Sequence, residues 1–270
     1  MKYNDFDKRM KAYEEVSKTR LTKRMPVVIR IDGRAFHTFT KGFQKPYDEI
    51  LCKTMQETMK YLCKNIQGCV LGYTQSDEIT LVLVDYDDIK KSSWLDYEVQ
   101  KICSIVASMT TMKFNALFSK YVEDESKVFT DEWLDNDKFN PNYKNKELRN
   151  LWLVHNKASK QGAMFDTRCF NVPENDICNA IIWRQRDAEK NSSSSLGQTY
   201  FTQKELHKKN SNEIQDMLML TYNVNWNNVP TKFKRGSSCI KTDNGWIIDN
   251  EMPILTKDRD YVESRTIFNV

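Results

Sequence analysis

No apolar run in the 270 residues approaches the roughly twenty needed to span a bilayer. The opening Met1-Lys2-Tyr3-Asn4-Asp5 has none of the apolar character of a signal region. There is no CxxC pair. The seven cysteines (Cys52, Cys63, Cys69, Cys103, Cys169, Cys178 and Cys239) are scattered and odd in number. That argues against a zinc ribbon or a disulfide framework and for reduced thiols, so a soluble, cytoplasmic protein is expected, with no membrane partner. GxxxxGK[ST], HExxH and GxSxG are also missing, which leaves P-loop, zincin and serine-hydrolase readings without support. No internal repeat is visible. Charge of one sign is scarce as well: 41 Lys and Arg face 37 Asp and Glu, and a net +4 permits a polyanionic partner without demanding one. Apolar residues make up 40% and charged residues 29%, which gives a sizeable core under a well-charged surface.

What is present is a sequence of well-marked segments. Phe6, Met10, Tyr13 and Val16 give residues Asp5–Thr22 the pattern of an amphipathic helix lying on a domain surface or against a partner subunit. Val27–Asp32 reads as a buried strand. Lys45-Pro46-Tyr47-Asp48-Glu49 opens a helix that runs to about Ile66 on the stripe Leu51, Met55, Met59, Leu62, Cys63 and Ile66. Cys69–Gln75 and Glu78–Val84 form a hairpin-like pair. Ser93 with Asp96 resembles a capping box and starts a helix from Trp94 to about Phe118. Met164–Val172 supplies a last strand.

The order βαββαβ is that of a ferredoxin-like α+β unit with an antiparallel sheet. Residues 121–162, with the turn marker Asn140-Pro141-Asn142, read as an insertion partly ordered by Trp133, Leu148, Leu151 and Trp152. Beyond it, Ser192–Ser195 with Gly197 reads as a flexible link. Thr202 with Glu205 and Asn210 with Glu213 mark two capped helices, and Gly245–Ile248 is strand-like. The expected organisation is an N-terminal helix over 1–25, a catalytic core over 26–173 with its insertion at about 121–162, and a helical C-terminal region and tail over 174–270.

Two strand ends carry carboxylates. Asp32 ends the first strand and Gly33 follows it. Asp77 and Glu78 sit at the hairpin link. Because the first strand of a βαββ sheet neighbours the third, these acids can meet, and carboxylates with a bare Gly33 carbonyl suit a hard cation. Hydrogen-bonded turn residues would give the same pattern, so both readings stand at this level. Arg30, Arg34, His37, Lys41 and Lys45 surround the first acid and suit phosphates or simply a solvated surface. Arg168 and Arg184, with Lys208, Lys209, Lys232, Lys234 and Arg235, are weaker candidates for RNA phosphates.

Arg30-Ile31-Asp32-Gly33-Arg34 with Phe36-His37, then Lys45-Pro46, then Tyr73–Glu78, resemble the tRNA-His guanylyltransferase superfamily. Phe165–Arg168, Trp183–Asp187 and Phe233–Ser237 continue the likeness in order. The resemblance implies a palm-like core that extends RNA from 3′ to 5′ with two magnesium ions, using ATP, GTP or other nucleoside triphosphates as substrates. It implies Asp32, the Gly33 carbonyl and Asp77 as metal ligands, and Glu78 as a residue needed for activity. Arg30, His37, Lys45, Ser76 and Asn191 match positions linked to the activating nucleotide. A homotetramer is implied too. The guanylyltransferases proper carry His-x-Asn-Asn where this chain has Glu189-Lys190-Asn191-Ser192. That departure resembles the "like" branch, which repairs 5′-truncated tRNA on a template. Addition of a single G to tRNA-His, a nucleotide cyclase and a non-catalytic RNA-binding protein are the alternatives.

Overall fold

The computed structural model describes residues 3–134 and 143–268, apart from the side chains of Tyr3 and residues 128–146. The chain begins with α1 (Tyr3–Glu15), β1 (Val27–Gly33), the short α2 (Phe36–Phe39) and α3 (Glu49–Asn65). The hairpin of β2 (Cys69–Gln75) and β3 (Glu78–Leu83) follows, then α4 (Val99–Leu134), α5 (Tyr143–Gln161) and β4 (Phe165–Asn171). The remainder is α6 (Ile177–Tyr200), α7 (Gln203–Leu206), α8 (Ser211–Tyr222), α9 (Thr231–Lys234), β5 (Ser237–Thr242), β6 (Gly245–Asp249) and α10 (Asp260–Thr266). Among the described residues no helix is long and apolar enough to cross a membrane.

The six strands form one sheet in the order β4-β1-β3-β2-β5-β6, with all five pairings antiparallel. The first four strands have the expected βαββαβ arrangement. The β5–β6 hairpin extends the sheet beyond β2, so the C-terminal region is not wholly helical. Its polar start conceals it in the sequence. Ser237 and Ser238 are fully buried, and each hydroxyl has partners: Gln56 and Asn250 for Ser237, Tyr261 for Ser238. Burial of a hydroxyl costs little once it is hydrogen-bonded.

Alternation along the strands gives the sheet two unlike faces. Val27, Ile29 and Ile31 of β1 and Ile79, Leu81 and Leu83 of β3 pack under Met55, Met59 and Leu62 of α3 and Ile102, Val106 and Phe114 of α4. Burying each such side chain contributes about 2 kcal/mol. On the other face, Leu71, Tyr73, Val82 and Ile240 lie under Ile177, Ile181 and Ile182 of α6. The part of that face over β1 and β4 stays open: Asp166 and Arg168 are exposed and Phe170 is 38% exposed.

Several elements depart from the expectation. The stripe Phe6, Met10, Tyr13 and Val16 does not lie on the domain, since these side chains are 37–87% exposed. α1 also stops at Glu15, because the chain beyond it bonds to residues Tyr97 and Val99. α3 starts at Glu49, capped by the Asp48 carboxylate on the Leu51 N–H at 2.9 Å, and Pro46 lies before it. Ser93 gives no cap; its hydroxyl is 2.6 Å from Asp85, and Asp96 pairs with Arg20 and Lys23. Within 121–162, read as an insertion on the core, the described residues show α4 running on unbroken from the core and α5 packing back, with Trp152 donating to the Val122 carbonyl. The side chain of Trp133 and the turn marker at Asn140–Asn142 lie outside the described residues. The serine run is no link either. It lies inside α6, where small side chains admit close neighbours: Ser192 Oγ meets Tyr47 and Trp226 at 2.8 and 3.1 Å, and a Cβ on Gly197 would be 2.7 Å from Ile214. The capping boxes of α7 and α8 are both present.

One buried cluster joins α3, α4 and α5. His155 is 1% exposed, with Nε2 2.9 Å from Asp48 and Nδ1 3.1 Å from Glu125. Burial pushes its pKa down, but the two carboxylates outweigh burial and raise it to about 9. The folded value lies above the unfolded value of about 6.5. The contribution is therefore complete below pH ~6.5 and lost as pH rises through ~9. His155→Gln is expected to lower stability by about 3 kcal/mol at pH 6, with the deficit shrinking toward pH 9.5. Denaturant titrations across that range check this; a deficit independent of pH would contradict it.

Candidate active site

The site begins with the end of β1. Asp32 is paired in register with Glu78 of β3 and Asp166 of β4, so all three carboxylates share the open face of the sheet. The Gly33 N–H donates to the Asp77 carbonyl at 3.1 Å, which ties the end of β1 to the two-residue β2–β3 turn. Gly33 has to be glycine, because a Cβ there would stand 2.2 Å from the Phe36 ring. That ring is locked against Phe39, Phe114 and Phe165, so it has nowhere to move. In the turn, Ser76 holds a left-handed φ of 50°, a conformation that costs a non-glycine residue about 1 kcal/mol. Its hydroxyl is 3.0 Å from Asp77 Oδ1.

Asp32, Gly33, His37, Lys45, Ser76 and Asp77 all line one cleft of about 510 Å³. Burial raises the pKa of Asp77, the Ser76 bond lowers it, and the Asp32 charge raises it further. Among the described residues neither Asp32 nor Asp77 has an ion-pair partner. Two carboxylates without an ion-pair partner in one cleft, with Gly33 in its lining, offer hard oxygen donors of the kind a divalent cation takes. Ser76 also borders a second pocket of about 150 Å³, which Asn191 lines from α6.

Other expected residues lie elsewhere. Glu78 shares the face with Asp32 but does not line the cleft. Its Oε2 accepts from Arg184 at 2.8 Å, and Oε1 is 3.9 Å from Arg30 Nε. Burial raises the Glu78 pKa, against the lowering effect of Arg184 and Arg30. Arg30 therefore sits behind the cleft, and Arg34 is exposed outside it. Arg184 and Lys234 are buried, the first spent on Glu78 and the second on the Asn227 carbonyl, so neither presents a cation to RNA. Arg235 is half-buried. Arg168, Lys208 and Lys209 are exposed; Arg168 pairs with Asp166 at 3.3 Å and Lys209 with Glu213 at 3.4 Å.

Sequence reasoning missed part of the second pocket. Tyr47 and Phe233 stack at 4.7 Å with ring planes 7° apart, and both line it with Lys232. Tyr47 follows the motif pair Lys45-Pro46 and Phe233 opens the motif Phe233–Ser237, so the motifs themselves were the available signal.

A family model described as tRNAHis guanylyltransferase matches residues 7–173. The chain is 27% identical over 250 residues to an uncharacterized protein of Acanthamoeba polyphaga mimivirus, covering 87% of this chain and 78% of that protein. It is 29% identical over 229 residues to the tRNA(His) guanylyltransferase of Saccharomyces cerevisiae, covering 78% and 80%. A solved bacterial tRNA(His) guanylyltransferase-like protein in complex with ATP superimposes with a TM-score of 0.81 at 39% identity, over 98% of this chain and 100% of that one. A similar protein in complex with GTP gives 0.73 at 34%, over 97% and 100%.

An ionised Asp77 costs the folded state free energy above its raised pKa, and that cost is absent once the carboxyl is protonated. Asp77→Asn is therefore expected to raise the Tm of the metal-free protein at pH 7 by about 2–4 °C, and to give no gain below the carboxylate range. Magnesium should raise the wild-type Tm and leave that of the variant unchanged. Thermal melts with and without magnesium decide it: a variant that melts lower and keeps the magnesium shift would contradict this arrangement.

Proposed function

The chain belongs to the tRNAHis guanylyltransferase family and is a nucleotidyltransferase, and from that premise we propose that it adds nucleotides, templated by the opposite strand, to the 5′ end of tRNA. The observation that carries the proposal is the pair of unneutralised carboxylates, Asp32 and Asp77, in a cleft that also holds Lys45 and His37. Asp32, the Gly33 carbonyl and Asp77 are the groups that would hold two magnesium ions. When bound, the metal would supply stabilisation of charge at the transferring phosphorus and a lower pKa for the attacking hydroxyl. Lys45 and His37 would balance the remaining phosphate charge of ATP, GTP or another nucleoside triphosphate. Ser76 and Asn191 would border the nucleotide from the adjoining pocket, with the Tyr47–Phe233 stack as its aromatic wall.

The chemistry has two displacements. An oxygen of the RNA 5′-monophosphate attacks the α-phosphorus of ATP, and pyrophosphate leaves. The 3′-hydroxyl of the incoming nucleoside triphosphate then attacks the activated 5′-phosphorus, and AMP leaves. An end that already carries a triphosphate skips the first step and releases pyrophosphate in the second. Base pairing with the opposite strand selects the nucleotide, so the protein need read only end and shape.

Two features favour template-dependent repair over addition of a single G to tRNA-His. The bacterial like-protein solved with ATP is 39% identical to this chain. Ser192, where the guanylyltransferases proper carry asparagine, is buried against Tyr47 and Trp226 and serves packing.

The test incubates labelled nucleotides with tRNA lacking its first 5′ residue, using templates with each of the four opposing bases. Addition should follow the opposing base and require ATP for 5′-monophosphate ends. Asp32→Ala and Asp77→Ala should each reduce it by at least about 10³-fold with the fold retained. G addition whatever the template would favour the tRNA-His reading. Conversion of nucleotide without RNA would point to a cyclase, and RNA binding with no incorporation to a non-catalytic protein.

A further inference from the structure

Trp183 is a large aromatic residue of α6 left open between buried neighbours. Ile182 and Arg184 on either side are buried, whereas 53% of Trp183 is exposed. An indole left in water forgoes burial worth a few kcal/mol, unless something covers it. Its position is well fixed. The Arg184 guanidinium lies 3.7 Å from the ring centroid and is itself held by Glu78 at 2.8 Å. The Arg30 guanidinium lies 5.5 Å from the same centroid.

Arg30 and Asp32 alternate on β1 and share the open face, so the ring stands beside a position about 7 Å along the strand from Asp32. Trp183 also continues along α6. Arg186 and Lys190, three and seven residues on, share its stripe and are exposed. Among the described residues neither has an ion-pair partner. The next residue on the same helix, Asn191, lines the second pocket. An open aromatic ring, then two free cations, therefore run from beside the acids to the nucleotide pocket.

We propose that Trp183 is a stacking platform for the base of the 5′-terminal nucleotide of the acceptor RNA, and that Arg186 and Lys190 take phosphates of that end. This rests on the reading that the cleft acts on an RNA 5′ end. Stacking suits the task because every base has a π face, so any end can be held while pairing chooses the next nucleotide. It also gives Glu78 a role outside the cleft. Through Arg184 it is a positioning residue for the platform.

The experiment measures the Kd of wild type, Trp183→Leu, Trp183→Phe and Arg186→Ala/Lys190→Ala for 5′-truncated tRNA by anisotropy, over a range of salt. Each is also measured on the same RNA with an abasic 5′-terminal residue. Trp183→Leu should weaken binding of the intact RNA about 10- to 100-fold and Trp183→Phe much less. The abasic RNA should bind wild type as weakly as intact RNA binds Trp183→Leu, and Trp183→Leu should not distinguish the two RNAs. The double variant should lower the salt slope by roughly 2. Affinity for a non-hydrolysable ATP analogue should stay within about twofold in Trp183→Leu, which separates a lost platform from a lost fold. Intact and abasic RNA binding alike to wild type, or Trp183→Leu binding RNA as wild type does, overturns the assignment while leaving nucleotide addition standing. A changed molecular mass with unchanged RNA affinity would place Trp183 at a contact between copies and overturns it equally. A wild type that neither binds the RNA nor extends it overturns both this inference and the functional reading.

Discussion

A single backbone hydrogen bond, Gly33 N–H to the Asp77 carbonyl at 3.1 Å, fixes where two strand ends meet. Around it the β1–β3 register places Asp32 opposite Glu78. A slip of one residue would carry Asp32 to the helix-covered face and bring Ile31 to the open one. The buried alternation of Val27, Ile29 and Ile31 forbids that slip, since each would give up about 2 kcal/mol of burial. The position of the acids is thus dictated by the apolar core beneath them.

The open face divides its acids between two kinds of work. Asp77 and Asp32 have no ion-pair partner among the described residues and line the cleft. Glu78 is drawn behind it by Arg184, inside a site where loss of one partner would leave the other charge buried, at a cost of roughly 3–5 kcal/mol. The same arginine lies against Trp183, so one carboxylate anchors α6 to the sheet and sets the ring beside the acids. On the other side of the cleft, His155 reaches from α5 to Asp48, the cap of α3, and so braces the stretch carrying Lys45 from below. Both braces are buried charge pairs, and both act on elements that contribute residues to the cleft.

The core was legible because its signals are periodic. The period-2 strand Val27–Asp32 and the 3.6-period stripe of α3 each announce one face, and these settle the βαββαβ order. The acid pair was legible because carboxylates at the ends of apolar strands stand out against their neighbours. What was hidden is long-range. Ser192 and Ser193 read as a link because their partners, Tyr47, Trp226 and the packed α8, lie far away in the chain. β5 was hidden because buried serines look like loop residues until Gln56, Asn250 and Tyr261 are seen to satisfy them. Glu78 looked like a partner of Asp77, since adjacency in sequence does not reveal that Arg184 holds its carboxylate on the same face but outside the cleft. Arg184 and Lys234 looked like surface cations because burial of a charge held by an ion pair or a carbonyl leaves no trace in composition.

The central claim is that Asp32, Asp77 and the Gly33 carbonyl are the groups that would hold divalent metal. Anomalous diffraction from crystals grown with manganese and a non-hydrolysable nucleoside triphosphate tests it most directly. The account predicts two peaks held by Asp32, Asp77 and the Gly33 carbonyl, with the nucleotide phosphates against Lys45. Peaks confined to the phosphates, with Asp32 and Asp77 uncoordinated and turned apart, would contradict it.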